Sequence, residues 1–121
     1  MSGFPSFREL EPTIEIRRPQ PHAALVVLGG EHDVYSADDL RQTFDQTLSD
    51  CDHLIVDISA AGFIDSTIVG VLLQTMKNAT ELDRRFNVVL GTAPVVERIL
   101  EVAGVLPLFD VVPSVERALA A

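Results

Sequence analysis

The hydrophobic pattern of the chain switches repeatedly between two periods, which predicts strands that alternate with helices. Residues 13–17 alternate polar and apolar side chains, and residues 23–28 form an unbroken apolar run, so together they predict a hairpin closed by a proline-containing turn. Gly29 and Gly30 are expected to end the second of these strands. Further apolar runs predict strands over residues 54–58, 87–91 and 109–112.

Helical spacing separates the predicted strands. Leu40, Phe44 and Leu48 recur every four residues in a helix that begins at Ser36. The predicted helices, in chain order, cover residues 36–48, 66–82, 94–103 and 114–121, the third ending at Gly104 and the last capped by Ser114. We therefore expect a flexible tail over residues 1–12 and a single α/β domain over residues 13–121. That domain is a mixed β-sheet of four to five strands, with an N-terminal hairpin, packed with about four helices.

The junction between the strand at residues 54–58 and the next helix has the most distinctive chemistry. Asp65, Ser66 and Thr67 supply oxygen atoms that can accept from the free backbone N–H groups of a helix start, as an N-cap does. The same N–H groups and the positive end of the helix dipole also stabilise a phosphate. At 100° per residue, Ser66 faces solvent, and Gly70 one turn later leaves its surroundings open to a protein surface. The predicted buried face consists of Ile68, Val69, Val71, Leu72, Met76, Ala79 and Leu82.

The acidic composition argues against one class of partner. The chain has 18 Asp and Glu residues against nine Lys and Arg residues, a formal charge of −9, which repels a nucleic-acid backbone. It contains neither GxxxxGK[ST] nor GxGxxG, so it has no evident phosphate-binding loop for a nucleotide. We expect a protein partner, no direct contact with nucleic acid and no cofactor.

Candidate catalytic and metal-binding groups are sparse. His22, His32 and His53 lack the spacing of a metal site, and each is predicted to lie at the surface. The GxSxG elbow of a serine hydrolase is missing, and the acid pair Glu31 and Asp33 is also typical of a solvated loop in which Asp33 caps a turn. We therefore predict no metal site and no enzyme.

Three features bear on location. Cys51, the single cysteine, excludes an intramolecular disulfide and fits a reducing compartment as a partly buried thiol. Residues 1–8 lack the pattern of a signal peptide, and no apolar run free of charge approaches 18 residues. The prediction is a free-standing cytoplasmic domain without a membrane span.

Three segments resemble one known family. Residues 54–73, LIVDISAAGFIDSTIVGVLL, resemble the strand, loop and phosphoacceptor helix of the STAS family, the domain shared by anti-sigma factor antagonists and sulfate transporters. Residues 30–33, GEHD, resemble the family's Gly-Glu-Leu-Asp loop, and residues 95–121 resemble its C-terminal pattern. The resemblance covers nearly the whole chain from about Thr13 onward, and it implies the STAS fold.

The resemblance also assigns roles to residues. In phosphorylatable members the acceptor is the hydroxyl residue directly after the Asp, which here is Ser66, with Asp65 and Thr67 as its flanks. The partner surface then comprises Glu31, Asp33, Asp65, Ser66, Thr67 and Gly70. Two positions depart from the family pattern: Ile68-Val69-Gly70 stands where Gly-Leu-Gly is usual, so that Ile68 is expected to add bulk beside the acceptor, and His32 replaces an apolar residue.

The function implied is that of an anti-sigma factor antagonist. Its unphosphorylated form binds an anti-sigma factor with serine-kinase activity and releases the sigma factor. Phosphorylation at Ser66 turns the binding off, and a serine phosphatase restores it. Two alternatives remain open from the residues: a non-phosphorylated STAS scaffold subunit of a signalling or lipid-transport complex, in which Ser66 is only a cap, and a small-molecule binding or catalytic domain.

Overall fold

The computed structural model describes residues 11–92 and 94–120. Within them the strands are β1 (Thr13–Gln20), β2 (Ala23–His32), β3 (His53–Ile64), β4 (Arg85–Val89) and β5 (Val111–Val112). The α-helices are α1 (Val34–Asp50), α2 (Ser66–Glu81), α3 (Pro94–Val102) and α4 (Val115–Ala120), and a 3-10 turn covers Leu106–Leu108. Of the tail predicted over residues 1–12, residues 1–10 lie outside the described residues.

The strands form one mixed sheet in the order β1-β2-β3-β4-β5. Strands β1 and β2 pair antiparallel as the predicted hairpin, whereas the pairs β2–β3, β3–β4 and β4–β5 are parallel. Helices supply the crossovers that parallel neighbours require. The predicted fold class, a mixed α/β sheet with an N-terminal hairpin, is confirmed.

Helices cover the two faces of the sheet unequally. Alternate strand residues such as Val26 and Val56 pack into the main hydrophobic core with residues of α1, α2 and α3. The intervening residues Leu25 and Ile55 face a smaller cluster completed by Ala118 of α4. Because side chains alternate across a strand, the unbroken apolar runs in β2 and β3 are accounted for by burial on both faces.

Two central strands extend further than predicted. Strand β2 continues through Gly29 and Gly30 to His32, and β3 continues to Ile64, because the two remain paired along their length across irregularities in register. Gly29 is therefore not a strand end. A Cβ there would lie 2.6 Å from Oγ1 of Thr13 on β1, so close packing between strands accounts for the glycine.

Several smaller expectations need correction. Helix α1 begins at Val34, two residues before Ser36, because Asp33 supplies the cap. Leu82 is the C-cap of α2 and is half exposed instead of lying on the buried face. Cys51 is almost fully buried rather than partly so. Ser114 caps α4 as predicted, since its Oγ accepts from the Arg117 N–H at 3.1 Å.

Two of the three histidines predicted at the surface are buried. Only His22 is exposed, whereas His32 and His53 are among the buried polar residues. The His53 Nε2 atom lies 2.5 Å from Oδ1 of Asn87 on the neighbouring strand β4. A buried imidazole can be accommodated in this way because its polar atom has a partner.

Among residues 11–92 and 94–120, none of the helices has the length and apolar character needed to span a bilayer.

Candidate functional site

Two helix starts meet at the carboxyl edge of the central strands. His32 ends β2, Ile64 ends β3, and the two are register partners. Asp33 and Asp65 follow them directly, each as the N-cap of the next helix. The backbone N–H of Asp65 donates to the His32 carbonyl at 3.2 Å, which ties the two starts together. Parallel pairing therefore places Asp33 beside the Asp65-Ser66-Thr67 junction.

Asp65 provides the cap of α2. Its Oδ1 accepts from the Ile68 N–H at 3.0 Å, and its carbonyl accepts from the Val69 N–H at 3.1 Å. This is the N-cap chemistry anticipated for the junction, and the carboxylate performs it. Ser66 is consequently the first helical residue rather than the cap.

The first turn of α2 presents Ser66 to solvent. Ser66 and Gly70 are exposed, as the helical wheel predicts, whereas Thr67, assigned to the same face, is half-buried. Ile68, expected to add bulk beside the acceptor, is instead fully buried in the main core, so its side chain lies beneath the turn. A Cβ at Gly70 would meet no heavy atom within 4 Å, which leaves open space one turn beyond Ser66.

The neighbouring helix start is anchored by buried polar groups. Oδ1 of Asp33 accepts from the Tyr35 N–H at 2.9 Å. Behind it, the buried His32 ring has Nε2 2.9 Å from the Gly29 carbonyl and 3.2 Å from the Thr13 carbonyl, and Nδ1 3.0 Å from Oγ of Ser36. Because carbonyl oxygens only accept, Nε2 carries the hydrogen and donates. Burial lowers the pKa of His32, against the opposing effect of these backbone hydrogen bonds, so the neutral ring is favoured.

The exposed residues near this edge include apolar side chains that the sequence analysis did not single out. Glu31 is exposed but belongs to β2, paired with Phe63 of β3, and not to a loop as expected. Tyr35 is 91% exposed, and Val34 and Phe63 are also exposed. The sequence signal for this exposed surface was the pair Val34 and Tyr35, which follow the Asp33 cap and lie off the spacing of the buried α1 face.

An apolar depression lies next to Ser66. It has a volume of about 350 Å³ and lies between the first turn of α2 and helix α3. The lining residues are Ser66, Val69, Arg98, Ile99, Val102 and Ala103. Sequence reasoning missed this feature because Ser66 and α3 are some 30 residues apart in the chain.

The side chains at this edge are carboxylates, a serine hydroxyl and large exposed groups. Within residues 11–92 and 94–120, no group of three or more His, Cys, Asp or Glu side chains is placed to hold a metal ion. The carboxylates of Asp33 and Asp65 accept backbone N–H groups at the helix starts. The edge presents the exposed hydroxyl of Ser66, acidic groups and exposed large side chains that include Tyr35.

Known proteins are similar to this chain in sequence or in fold. An anti-sigma F factor antagonist of Paenibacillus polymyxa is 26% identical over 103 residues, which cover 80% of this chain and 87% of that protein. The crystal structure of an anti-sigma factor antagonist from Mycobacterium paratuberculosis matches with a TM-score of 0.80 at 24% identity, over 91% of this chain and 92% of that one.

A second solved structure has the same fold. The anti-sigma factor antagonist SpoIIAA in its unphosphorylated form matches with a TM-score of 0.75 at 18% identity, over 88% of this chain and 93% of that one. The Bacillus protein SpoIIAA has also been solved in its phosphorylated form. The family model described as the STAS domain matches residues 13–118. Since this match spans most of the sequence and the hairpin, parallel strands and Ser66 helix all fall within it, the chain belongs to the STAS domain family.

Proposed function

We propose that this protein is an anti-sigma factor antagonist whose binding is switched off by phosphorylation of Ser66. Its partner is an anti-sigma factor with serine-kinase activity, which releases its sigma factor when the antagonist binds; a serine phosphatase restores the unphosphorylated form. The observation that carries the proposal is that three neighbouring residues at the start of α2 have separate roles. Asp65 caps the helix and Ile68 fills the core, while the Ser66 hydroxyl lies in solvent.

The helix start tolerates a phosphate in the free protein. A dianion in the first turn of α2 interacts favourably with unpaired backbone N–H groups and with the positive end of the helix dipole. Ser66 is exposed, so the added group requires no rearrangement of the core. Phosphorylation is therefore expected to leave the fold intact and to act on the complex.

In a complex the same phosphate is unfavourable. A partner packed over Ser66 would remove water from the dianion, and Asp33, Asp65 and Glu31 on the same edge add negative charge. Burial of an uncompensated charge is costly. A loss of about 3 kcal/mol in binding free energy corresponds to roughly a hundredfold loss of affinity.

The proposed contact surface comprises Glu31, Asp33, Asp65, Ser66, Thr67 and Gly70. Their placement supports the proposal, because the ends of β2 and β3 are paired and the start of α2 follows directly. The names of the antagonist relatives support the class of partner, and SpoIIAA, solved in both forms, gives a precedent for phosphorylation in the same fold. This role places the protein in the cytoplasm, where sigma factors act.

The test compares tagged Ser66→Ala and Ser66→Asp proteins as baits in native extract. Partners retained by the first and lost by the second are identified by mass spectrometry, and their affinities are then measured with purified components. Ser49→Ala and Ser49→Asp serve as matched controls, because Ser49 is exposed near the far end of α1. Circular dichroism confirms that all four proteins are folded.

We expect an ATP-binding, kinase-like anti-sigma factor on the Ser66→Ala bait alone, with both Ser49 variants behaving as wild type. Incubation of that partner with ATP should phosphorylate wild-type protein and not Ser66→Ala. Identical partner sets on the two Ser66 baits would contradict the switch. A large stable assembly insensitive to Ser66 would favour the scaffold subunit instead.

A further inference from the structure

We propose that Arg98 binds the phosphate on Ser66 and holds it across the depression between α2 and α3. The inference rests on the proposed phosphorylation and concerns which group of the protein binds the phosphate. It gives one arginine of α3 a specific part in the switch, as the cation that pairs with the modified serine.

The first argument is placement. Ser66 and Arg98 line the same depression, on α2 and α3 respectively. Arg98 is the charged residue of that lining, and the remaining residues are apolar: Val69, Ile99, Val102 and Ala103. The two residues border the same depression of about 350 Å³ from different helices, and the arginine side chain is long and flexible. A phosphate on Ser66 would therefore have this guanidinium within reach.

The second argument is that Arg98 is only loosely engaged. Its Nη1 lies 3.7 Å from Oε2 of Glu101, and its side chain is 75% exposed. By contrast, Arg18 makes two hydrogen bonds of 2.8 and 3.1 Å with the Asp50 carboxylate. A phosphate carries more charge than a carboxylate and offers more acceptor oxygens, and guanidinium pairs with it in a two-pronged geometry. Replacement of Glu101 by the phosphate as the partner of Arg98 is thus favourable.

The pairing would change the edge in two ways. It offsets part of the repulsion that a phosphate meets from Asp33 and Asp65. It also draws the guanidinium over the apolar floor formed by Val69, Ile99 and Val102. The modified protein would then present a phosphate–arginine pair where the unmodified one presents an open apolar depression.

The test uses protein in which phosphoserine is inserted at position 66 during translation, so no kinase is needed. The second pKa of the phosphate is measured by phosphorus NMR in wild type, Arg98→Gln and Arg41→Gln. Arg41 is the matched control: it is an exposed arginine paired with an acid three residues away on its own helix. Measurement at low and high salt separates a contact from long-range charge effects.

A neighbouring cation stabilises the dianion, so its removal raises the phosphate pKa. We expect Arg98→Gln to raise it by about half a unit, with part of the shift persisting at high salt, and Arg41→Gln to leave it unchanged. The Arg98 side-chain N–H signal should also titrate with the phosphate. Equal pKa values in wild type and Arg98→Gln, or an equal shift from Arg41→Gln, would overturn the pairing.

The outcome is separable from the proposed function. If Arg98 is not involved, the phosphate can still block the partner, and the pull-down comparison of the Ser66 variants is unaffected. If instead no kinase modifies Ser66 in the cell, the NMR titration still reports whether the geometry brings Arg98 to a phosphate at that position.

Discussion

The two helix starts at the carboxyl edge share an aspartate cap and differ in the chemistry of the residues buried beside it. In each, an Asp caps the helix, and the residues one before and three after the cap are buried. At the first start these buried residues are His32 and Ser36, which are polar and hydrogen-bonded; at the second they are Ile64 and Ile68, which need no polar partner. The serine is buried at the first start, as Ser36, and exposed at the second, as Ser66.

The comparison teaches that the position of a hydroxyl relative to the cap decides its role. Ser36 stands three residues after Asp33 and faces inward, where its oxygen meets His32. Ser66 stands directly after Asp65 and faces outward. The first and third positions after a cap are two residues apart, which is about 200° around a helix, so their side chains point to nearly opposite sides.

The largest expected effect comes from removing the polar anchor of the first start. His32→Ala leaves a cavity and takes the Nε2 donor from the Gly29 and Thr13 carbonyls. We expect the free energy of unfolding in urea to fall by about 3 kcal/mol. Ser66→Ala, the matched change at the second start, should alter it by less than about 0.5 kcal/mol. Similar losses of unfolding free energy from both variants would contradict the proposed difference between the two helix starts.

A fall in pH should lower stability at the first helix start while the His32 side chain stays in place. Burial lowers the folded-state pKa of His32 and His53 below the ordinary value of 6.5. The unfolded chain therefore binds more protons as the pH falls, so stability is full above about pH 7 and declines toward about pH 5.

Urea unfolding between pH 5 and 8 checks this expectation. His32→Gln should flatten the pH dependence of the unfolding free energy. Because the ring keeps its volume, the loss on acidification should be smaller than that caused by His32→Ala. A profile unchanged by both His32→Gln and His53→Gln would refute the assignment.

Removal of either capping carboxylate should lower the unfolding free energy by a similar amount. Asp33→Ala and Asp65→Ala each lose one acceptor for a backbone N–H, and each should lower the unfolding free energy by about 1 kcal/mol. Asp→Asn variants retain an oxygen acceptor and should recover most of the loss. A much larger cost at Asp65 than at Asp33 would mean that the second start depends on its carboxylate for more than capping.

The smallest expected effect has the opposite sign. Gly70 lies inside α2 at a position where a Cβ meets nothing within 4 Å. Gly70→Ala should therefore raise the unfolding free energy by about 0.5–1 kcal/mol, because alanine is the better helix former. If a partner covers this turn, the same variant should weaken binding while it stabilises the free protein. Thermal melts and affinity measurements on one preparation check both expectations.

Sequence patterns predicted most of the architecture and misplaced the strand ends at the edge that forms the candidate site. The apolar runs located β2 and β3, and the helical spacing of α2 placed Ser66 in solvent. The strand ends were misplaced because Gly29 and Gly30 suggest a turn, whereas pairing between β2 and β3 carries the strand past them. The roles assigned to Glu31 and Asp33 in partner binding remain predictions.

The sequence by itself determined which residues could form strands and helices, because local periodicity and capping chemistry depend on neighbours in the chain. It also identified Ser66 as the exposed hydroxyl of a helix start. Only the tertiary structure decided that His32 is internal, that Ile68 lies beneath the first turn of α2, and that Arg98 faces the same depression as Ser66. Each of these depends on strand pairing or helix packing between segments distant in the chain, which local patterns do not encode.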